Sequence, residues 1–127
     1  MILIDTDVLI AHLRGVTAAH AWLRENAERD SLAISALTIV EITSGMRSAE
    51  RAPVHRLLSA IPAIPVSELI SFRAGEWGRE YRRSHQGVSS VDLVIAATAD
   101  TVGAELATLN VKHFPMFPGL AAPFAVS

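Results

Sequence analysis

Short runs of apolar residues alternate along the chain with longer stretches in which apolar and charged positions recur with helical spacing. Met1 to Ile4 is apolar throughout and stops at Asp5-Thr6-Asp7, which predicts a first strand buried on both faces. Val8 to Leu13 reads as a helix ending near Gly15. Thr17 to Arg29 reads as an amphipathic helix, with Trp22 and Leu23 inward and Arg24, Glu25, Glu28 and Arg29 outward. Leu32 to Ser35 is a second short strand, leading into a helix from about Leu37 to Arg47 that breaks near Gly45. Pro53 fits the first turn of a further helix carrying Val54, Leu57 and Leu58. Two prolines restrict Ile61 to Val66 to an edge or irregular strand. The clearest periodicity runs from Ser67 to about Arg83, where Ile70, Ala74, Trp77 and Tyr81 share one face and Arg73, Glu76, Arg79, Glu80 and Arg83 the other. After a turn at Gln86-Gly87, Ser89 or Ser90 caps a mostly apolar helix over Val91 to Thr101, ended by Gly103. Glu105 to Thr108 forms the last strand, and a tail with Pro115, Pro118 and Pro123 predicts little regular structure. Strands alternating with helices predict one α/β domain with a mainly parallel sheet.

Composition narrows the classes. A chain of 127 residues suits one domain, and a half-hydrophobic composition with a net charge of −2 excludes disorder as the main state. The purest apolar stretch, Leu93 to Ala97, falls far short of the ~20 residues a membrane-spanning helix needs. Asp5 and Asp7 interrupt the N-terminal apolar run, and no basic segment precedes it, so no signal peptide is expected. The absence of cysteine rules out disulfides, thiolate metal sites and cysteine nucleophiles, and fits a cytoplasmic protein. Ten arginines and one lysine face thirteen acids, so there is no global positive field. A nucleic-acid partner would have to be held by a local patch or a bound cation.

Three acids stand where strands hand over to helices: Asp5, Glu41 and Asp92. Each has an ordinary structural explanation. Asp5 or Asp7 can cap the helix that follows. Thr38-Ile39-Val40-Glu41 matches a capping box. Asp92 lies in a first helical turn, where the helix dipole favours a carboxylate. The carboxyl ends of parallel strands nevertheless form one edge, where ligands usually bind. Carboxylates gathered there repel one another and raise each other's pKa. A hard divalent cation such as Mg²⁺ or Mn²⁺ resolves that conflict.

MILIDTDVLIAHLRG, ISALTIVEITSGM, VDLVIAATA and ATLNVKHFP, in that order, resemble the successive blocks of a PIN domain of the VapC type, the toxin ribonucleases of type II toxin–antitoxin pairs. The resemblance implies a single three-layer domain over residues 1–127, with a mainly parallel sheet of four to five short strands flanked by helices. It also implies a Mg²⁺- or Mn²⁺-dependent endoribonuclease that leaves a 5′-phosphate and a 3′-hydroxyl. Asp5, Glu41 and Asp92 would form the catalytic, metal-binding cluster, with Thr6 and Thr108 supporting it. Glu41 would act either directly or by orienting a water. The closing block often carries a further acid, commonly just before the phenylalanine; here Asn110 and His113 stand in that region, which leaves the number of metals open. Leu109 replaces a frequent arginine. Arg14 and Arg47, near the ends of the first two rim helices, are candidate RNA phosphate contacts. The implied partners are an RNA substrate, a cognate VapB-type antitoxin covering the acidic site, and a second copy in a homodimer. DNA would be reached only through the antitoxin, and no membrane is involved.

The remaining histidines, His12, His20, His55 and His85, show no ligand-pair spacing and read as structural or surface residues. Trp22 and Trp77 read as core or dimer contacts, and the glycines mark helix ends without forming a phosphate-cradling loop. Two rival readings remain. Asp5-Thr6-Asp7 after a strand imitates a haloacid-dehalogenase-like phosphatase, with Asp5 as nucleophile and Asp7 as acid/base. A catalytically degenerate PIN domain acting as a binding module is the other.

Overall fold

A computed structural model describes residues 1–126; Ser127, the last residue of the expected domain, lies outside them. Four parallel strands form one sheet in the order β3-β2-β1-β4: β1 (Ile2–Ile4), β2 (Leu32–Ser35), β3 (Ala63–Ile64) and β4 (Glu105–Ala107). The central strand β1 pairs Ile2 with Leu32 on one side and Leu3 with Leu106 on the other. Among the described residues six α-helices flank the sheet: α1 (Thr6–Leu13), α2 (Thr17–Arg29), α3 (Ala36–Gly45), α4 (Arg51–Ser59), α5 (Glu68–Tyr81) and α6 (Ser90–Val102).

The pleat of β1 explains the layering. Ile2 and Ile4 enter a core with Val8 and Leu9 of α1, Leu23 of α2, Ile42 of α3 and Val54 of α4. Leu3 points the other way, into a core built from Ile70, Ala74 and Trp77 of α5 and Leu93, Ala96 and Ala97 of α6. Successive side chains of a strand leave on opposite faces, so an all-apolar strand requires helices on both. The expected three-layer α/β architecture is present, with four strands.

Differences from the expected boundaries have local causes. Asp5 caps α1, so that helix begins at Thr6 and not near Val8. Ser35 caps α3 by accepting from Leu37 N at 3.1 Å, which places Thr38 inside the helix, fully buried. The capping box expected between Thr38 and Glu41 is therefore not formed. Flanking prolines shorten β3 to two residues. Thr108 lies just past the end of β4. The tail is irregular beyond a 3₁₀ turn at Val111–His113, yet well packed. Phe114 is buried, Phe117 meets Trp77 edge-on at 5.8 Å, and Phe124 leans on Trp22 at 6.4 Å, so the tail touches both cores. Among the described residues no helix is long and apolar enough to cross a membrane.

Candidate active site

The strand order reverses direction at β1, whose neighbours β2 and β4 lie on opposite sides. In parallel sheets the crevice at such a switch point, beyond the carboxyl ends of the strands, is the usual place for a ligand. Asp5 leaves β1 there and Thr108 leaves β4. The Asp5 amide donates to Ala107 O at 2.9 Å, which ties the two exits together.

Asp5 is 6% exposed. Its Oδ1 accepts from Thr6 N and its Oδ2 from Thr108 Oγ1, both at 2.8 Å. Those hydrogen bonds favour the carboxylate but do not prevail. Burial, then the charge of Asp7, with a further contribution from Asp92, pushes the Asp5 pKa up to about 7. Asp7 turns toward the segment after β4: its Oδ2 accepts from Leu109 N at 3.1 Å and lies 3.4 Å from Thr108 Oγ1. Its Oδ1 is buried with no partner, and burial raises its pKa as well. Thr108 has one hydroxyl proton, which the shorter distance assigns to Asp5; the same oxygen accepts from Asn110 N at 3.1 Å.

Glu41 reaches this centre through Thr6. The Thr6 hydroxyl donates to Glu41 Oε1 at 2.5 Å and stands 3.1 Å from Thr38 Oγ1, where α1 crosses α3. The ordinary explanation of Glu41 fails, because its carboxylate bonds another helix and not its own N-terminus. Asp92 does form a capping box: its Oδ2 accepts from Ser89 N at 2.9 Å, and its amide donates to Ser89 Oγ at 3.1 Å. The same Oδ2 lies 3.4 Å from His113 Nδ1.

Asp5, Asp7 and Asp92 thus share one electrostatic neighbourhood, with Glu41 joined to it by a hydroxyl. Among the described residues, however, no three His, Cys, Asp or Glu side chains gather closely enough to hold a metal ion as they stand. The donor set itself suits a hard cation. All its donors are carboxylate oxygens, one buried oxygen of Asp7 has no partner, and Asp5 carries a charge its surroundings oppose. Asn110 contributes its amide, while its side chain is exposed. Arg14 and Arg47 line an open groove of about 540 Å³ together with Glu41 and Glu50. Leu109, at the arginine position, packs against the α1–α4 core.

Two contributors escaped the sequence reading, Asp7 as the anchor of the closing segment and Thr38 as the partner of Thr6. The place of Asp7, two residues after Asp5 in one tight strand-to-helix turn, was the available signal. A second groove of about 560 Å³, largely apolar, lies between α2, α4 and the start of β2, with His12 and His20 among its lining. Their rings stack at 5.3 Å, and burial lowers the pKa of His12. None of the candidate acids lines it.

A model of the PIN domain family matches residues 2–115. The chain belongs to the PIN-domain family. This PIN domain is 54% identical over 126 residues to Ribonuclease VapC10 of Mycobacterium tuberculosis, covering 99% of this chain and 95% of that protein. It superposes on a chain of a toxin–antitoxin complex from Klebsiella pneumoniae with a TM-score of 0.83 at 29% identity, covering 99% of this chain and all of that one. VapBC2 from Rickettsia felis, bound to a DNA fragment from its promoter, gives 0.81 at 25% identity, covering 96% of this chain and 97% of its counterpart. The PIN domain is of the VapC type, as its four sequence blocks implied. The phosphatase reading falls with this assignment and with the geometry of Asp7, whose carboxylate is engaged by the segment after β4.

Proposed function

We propose that the protein is a Mg²⁺- or Mn²⁺-dependent endoribonuclease, the toxin of a VapBC-type pair. The observation that carries this reading is Asp5, buried at the β1–β4 crevice and electrostatically coupled to Asp92. Asp5 and Asp92 would hold the cation, and Glu41 would complete the cluster from across the Thr6 hydroxyl. A bound divalent cation supplies Lewis-acid chemistry, making water a better nucleophile near neutral pH and taking up charge on the phosphoryl oxygens. Thr108 and the Thr6 amide fix the Asp5 carboxylate, so its geometry is set before substrate arrives. Arg14 and Arg47 offer positive charge beside Glu41, where an RNA backbone would run. Hydrolysis would leave a 5′-phosphate and a 3′-hydroxyl.

The structural neighbours from toxin–antitoxin complexes support a VapB-type antitoxin as partner, and DNA would be reached only through it. Leu69 and Phe72, exposed on one face of α5, support a homodimer, which light scattering at micromolar concentration tests. A cytoplasmic location agrees with the lack of cysteine. The deciding experiment is cleavage of total cellular RNA by the antitoxin-free protein in Mn²⁺, Mg²⁺ or EDTA, with Asp5→Asn beside wild type. Metal-dependent cleavage absent from the variant is expected. Inactivity of wild type, together with failure to arrest growth, would replace the enzyme by a binding module.

A further inference from the structure

The Thr6 hydroxyl takes part in two hydrogen bonds with a single proton. It lies 2.5 Å from Glu41 Oε1 and 3.1 Å from Thr38 Oγ1. A carboxylate only accepts, so that proton goes to Glu41. The bond between the two threonines must then use the proton of Thr38, with Thr6 Oγ1 accepting. Thr38 is fully buried, and Thr6 is the one hydrogen-bond partner of its side chain among the described residues. Other threonines inside helices use their hydroxyls differently: Thr43 donates to Ile39 O and Thr98 to Val94 O, each four residues back and each at 2.7 Å. Four residues before Thr38 stands Ile34, a residue of β2 and not of α3, and Thr38 makes no such back-bond. Thr38 and Glu41 are three positions apart on α3, hence on one face, and Thr6 opens α1 where the two helices cross. Glu41 Oε2 has no hydrogen-bond partner among the described residues.

We propose that Thr38 is a positioning residue for Glu41 that acts through Thr6. Thr38 donates to Thr6, which keeps the Thr6 proton on Glu41 Oε1 and leaves Oε2 as the oxygen offered to the cation or to its water. The inference rests on the cation-dependent reading above, and it gives a role to a residue that hydrogen-bonds none of the site's acids. The relay runs in one direction, from a buried donor to an exposed carboxylate, and requires no ionisation of either threonine. Without the Thr38 hydroxyl, the buried Thr6 oxygen loses the donor that fixes its rotation. Thr6 can still reach Glu41 unaided, so the effect should be smaller than that of removing the Thr6 hydroxyl itself.

Calorimetric titration of the purified full chain with Mn²⁺ tests this in wild type, Thr38→Val, Thr38→Ser, Thr6→Val, the Thr6→Val/Thr38→Val double variant and Glu41→Ala. Thermal unfolding in EDTA checks that each variant is folded, and Thr38→Ala takes the place of Thr38→Val in the same comparisons if the latter does not fold. Valine keeps the shape of threonine and removes the hydroxyl, whereas serine keeps the hydroxyl. Thr38→Val should weaken Mn²⁺ by about three- to tenfold, the worth of one hydrogen bond, with Thr38→Ser within about twofold of wild type. In the Thr6→Val background, Thr38→Val should cost no more than about twofold, whereas an effect of packing alone would add in full. Wild-type affinity in Thr38→Val overturns the proposal. So does Thr38→Ser as weak as Thr38→Val, or a full loss that persists without the Thr6 hydroxyl. Glu41→Ala separates the two levels. If it binds Mn²⁺ like wild type, Glu41 stands outside the cluster and this inference goes with it. If it loses binding while Thr38→Val does not, only the relay fails. A wild type that binds no Mn²⁺ would end both.

Discussion

The two halves of the acidic rim are built differently. The inner half, Asp5, Asp7, Thr6 and Thr108, sits on backbone that turns directly out of β1 and β4, and Asp5 and both threonines are buried. The outer half, Glu41, Asp92, His113, Arg14 and Arg47, stands on helices and a loop; the Asp92 and His113 side chains are 17% and 26% exposed. In the inner half, folding itself sets the geometry and opposes the charge. In the outer half, individual side-chain contacts set the geometry and water still screens the charge. Removing the Asp5 charge should therefore raise stability while it abolishes function, whereas changes in the outer half should touch function with little effect on stability.

The largest break in that comparison is Asp5→Asn. Cleavage should fall by about 100-fold or more, since even residues that merely support metal ligands are worth about 10–100-fold. The folded protein holds the Asp5 proton up to about pH 7, against an ordinary value of 3.8. The folded chain therefore binds more protons than the unfolded chain across that interval, and stability falls as pH rises through it. The full loss is on the order of 4 kcal/mol. Thermal unfolding in EDTA should show wild type losing more stability between pH 5 and pH 8 than Asp5→Asn, with Mn²⁺ closing the gap. Parallel profiles would refute the cost assigned to the inner half.

Thr108→Val comes next. It strips the donor from Asp5 Oδ2 and the acceptor from Asn110 N, at a cost of about 1–3 kcal/mol in urea unfolding. Thr108→Ser should recover most of that. Thr6→Val sharpens the boundary between the halves by cutting the hydroxyl link to Glu41. Mn²⁺ affinity should drop roughly tenfold in calorimetry while stability changes less than in Thr108→Val. The smallest effect belongs to Arg14→Ala and Arg47→Ala. Each should raise KM for RNA about two- to fivefold with kcat unchanged, the scale of an exposed charge contact. A drop in kcat instead would draw these arginines into the chemistry.

The same division governs what the sequence disclosed. Strand β1, helix α5 and the order of elements were legible because burial writes itself as apolar periodicity, and Asp5 stood out as a charge at the end of an apolar run. Side chains that act across elements left no such mark. The Thr38–Glu41 spacing matched a local capping rule, but Ser35 had already capped α3, so Glu41 was free to bond Thr6. Asp7 read as a spare cap, because its partners, Leu109 N and Thr108 Oγ1, lie at the far end of the chain. Phe117 and Phe124 lie in the tail for which little regular structure is expected, and only the tertiary fold gives each an aromatic partner.

The hydroxyl that holds Asp5 lies 103 positions further along the chain, and the strand that delivers it follows the other three of the described sheet. The earliest of the described strands is thus an interior one, with one edge left open until β4 exists. Long-range pairings of this kind form late, because the intervening loop must be closed before any contact rewards it. A nascent chain that stops short of residue 108 can bury neither Asp5 nor the second edge of β1. The acidic rim comes into being only once residue 108 has been made, so the sequence order of the fold is itself a timer on the assembly of the site.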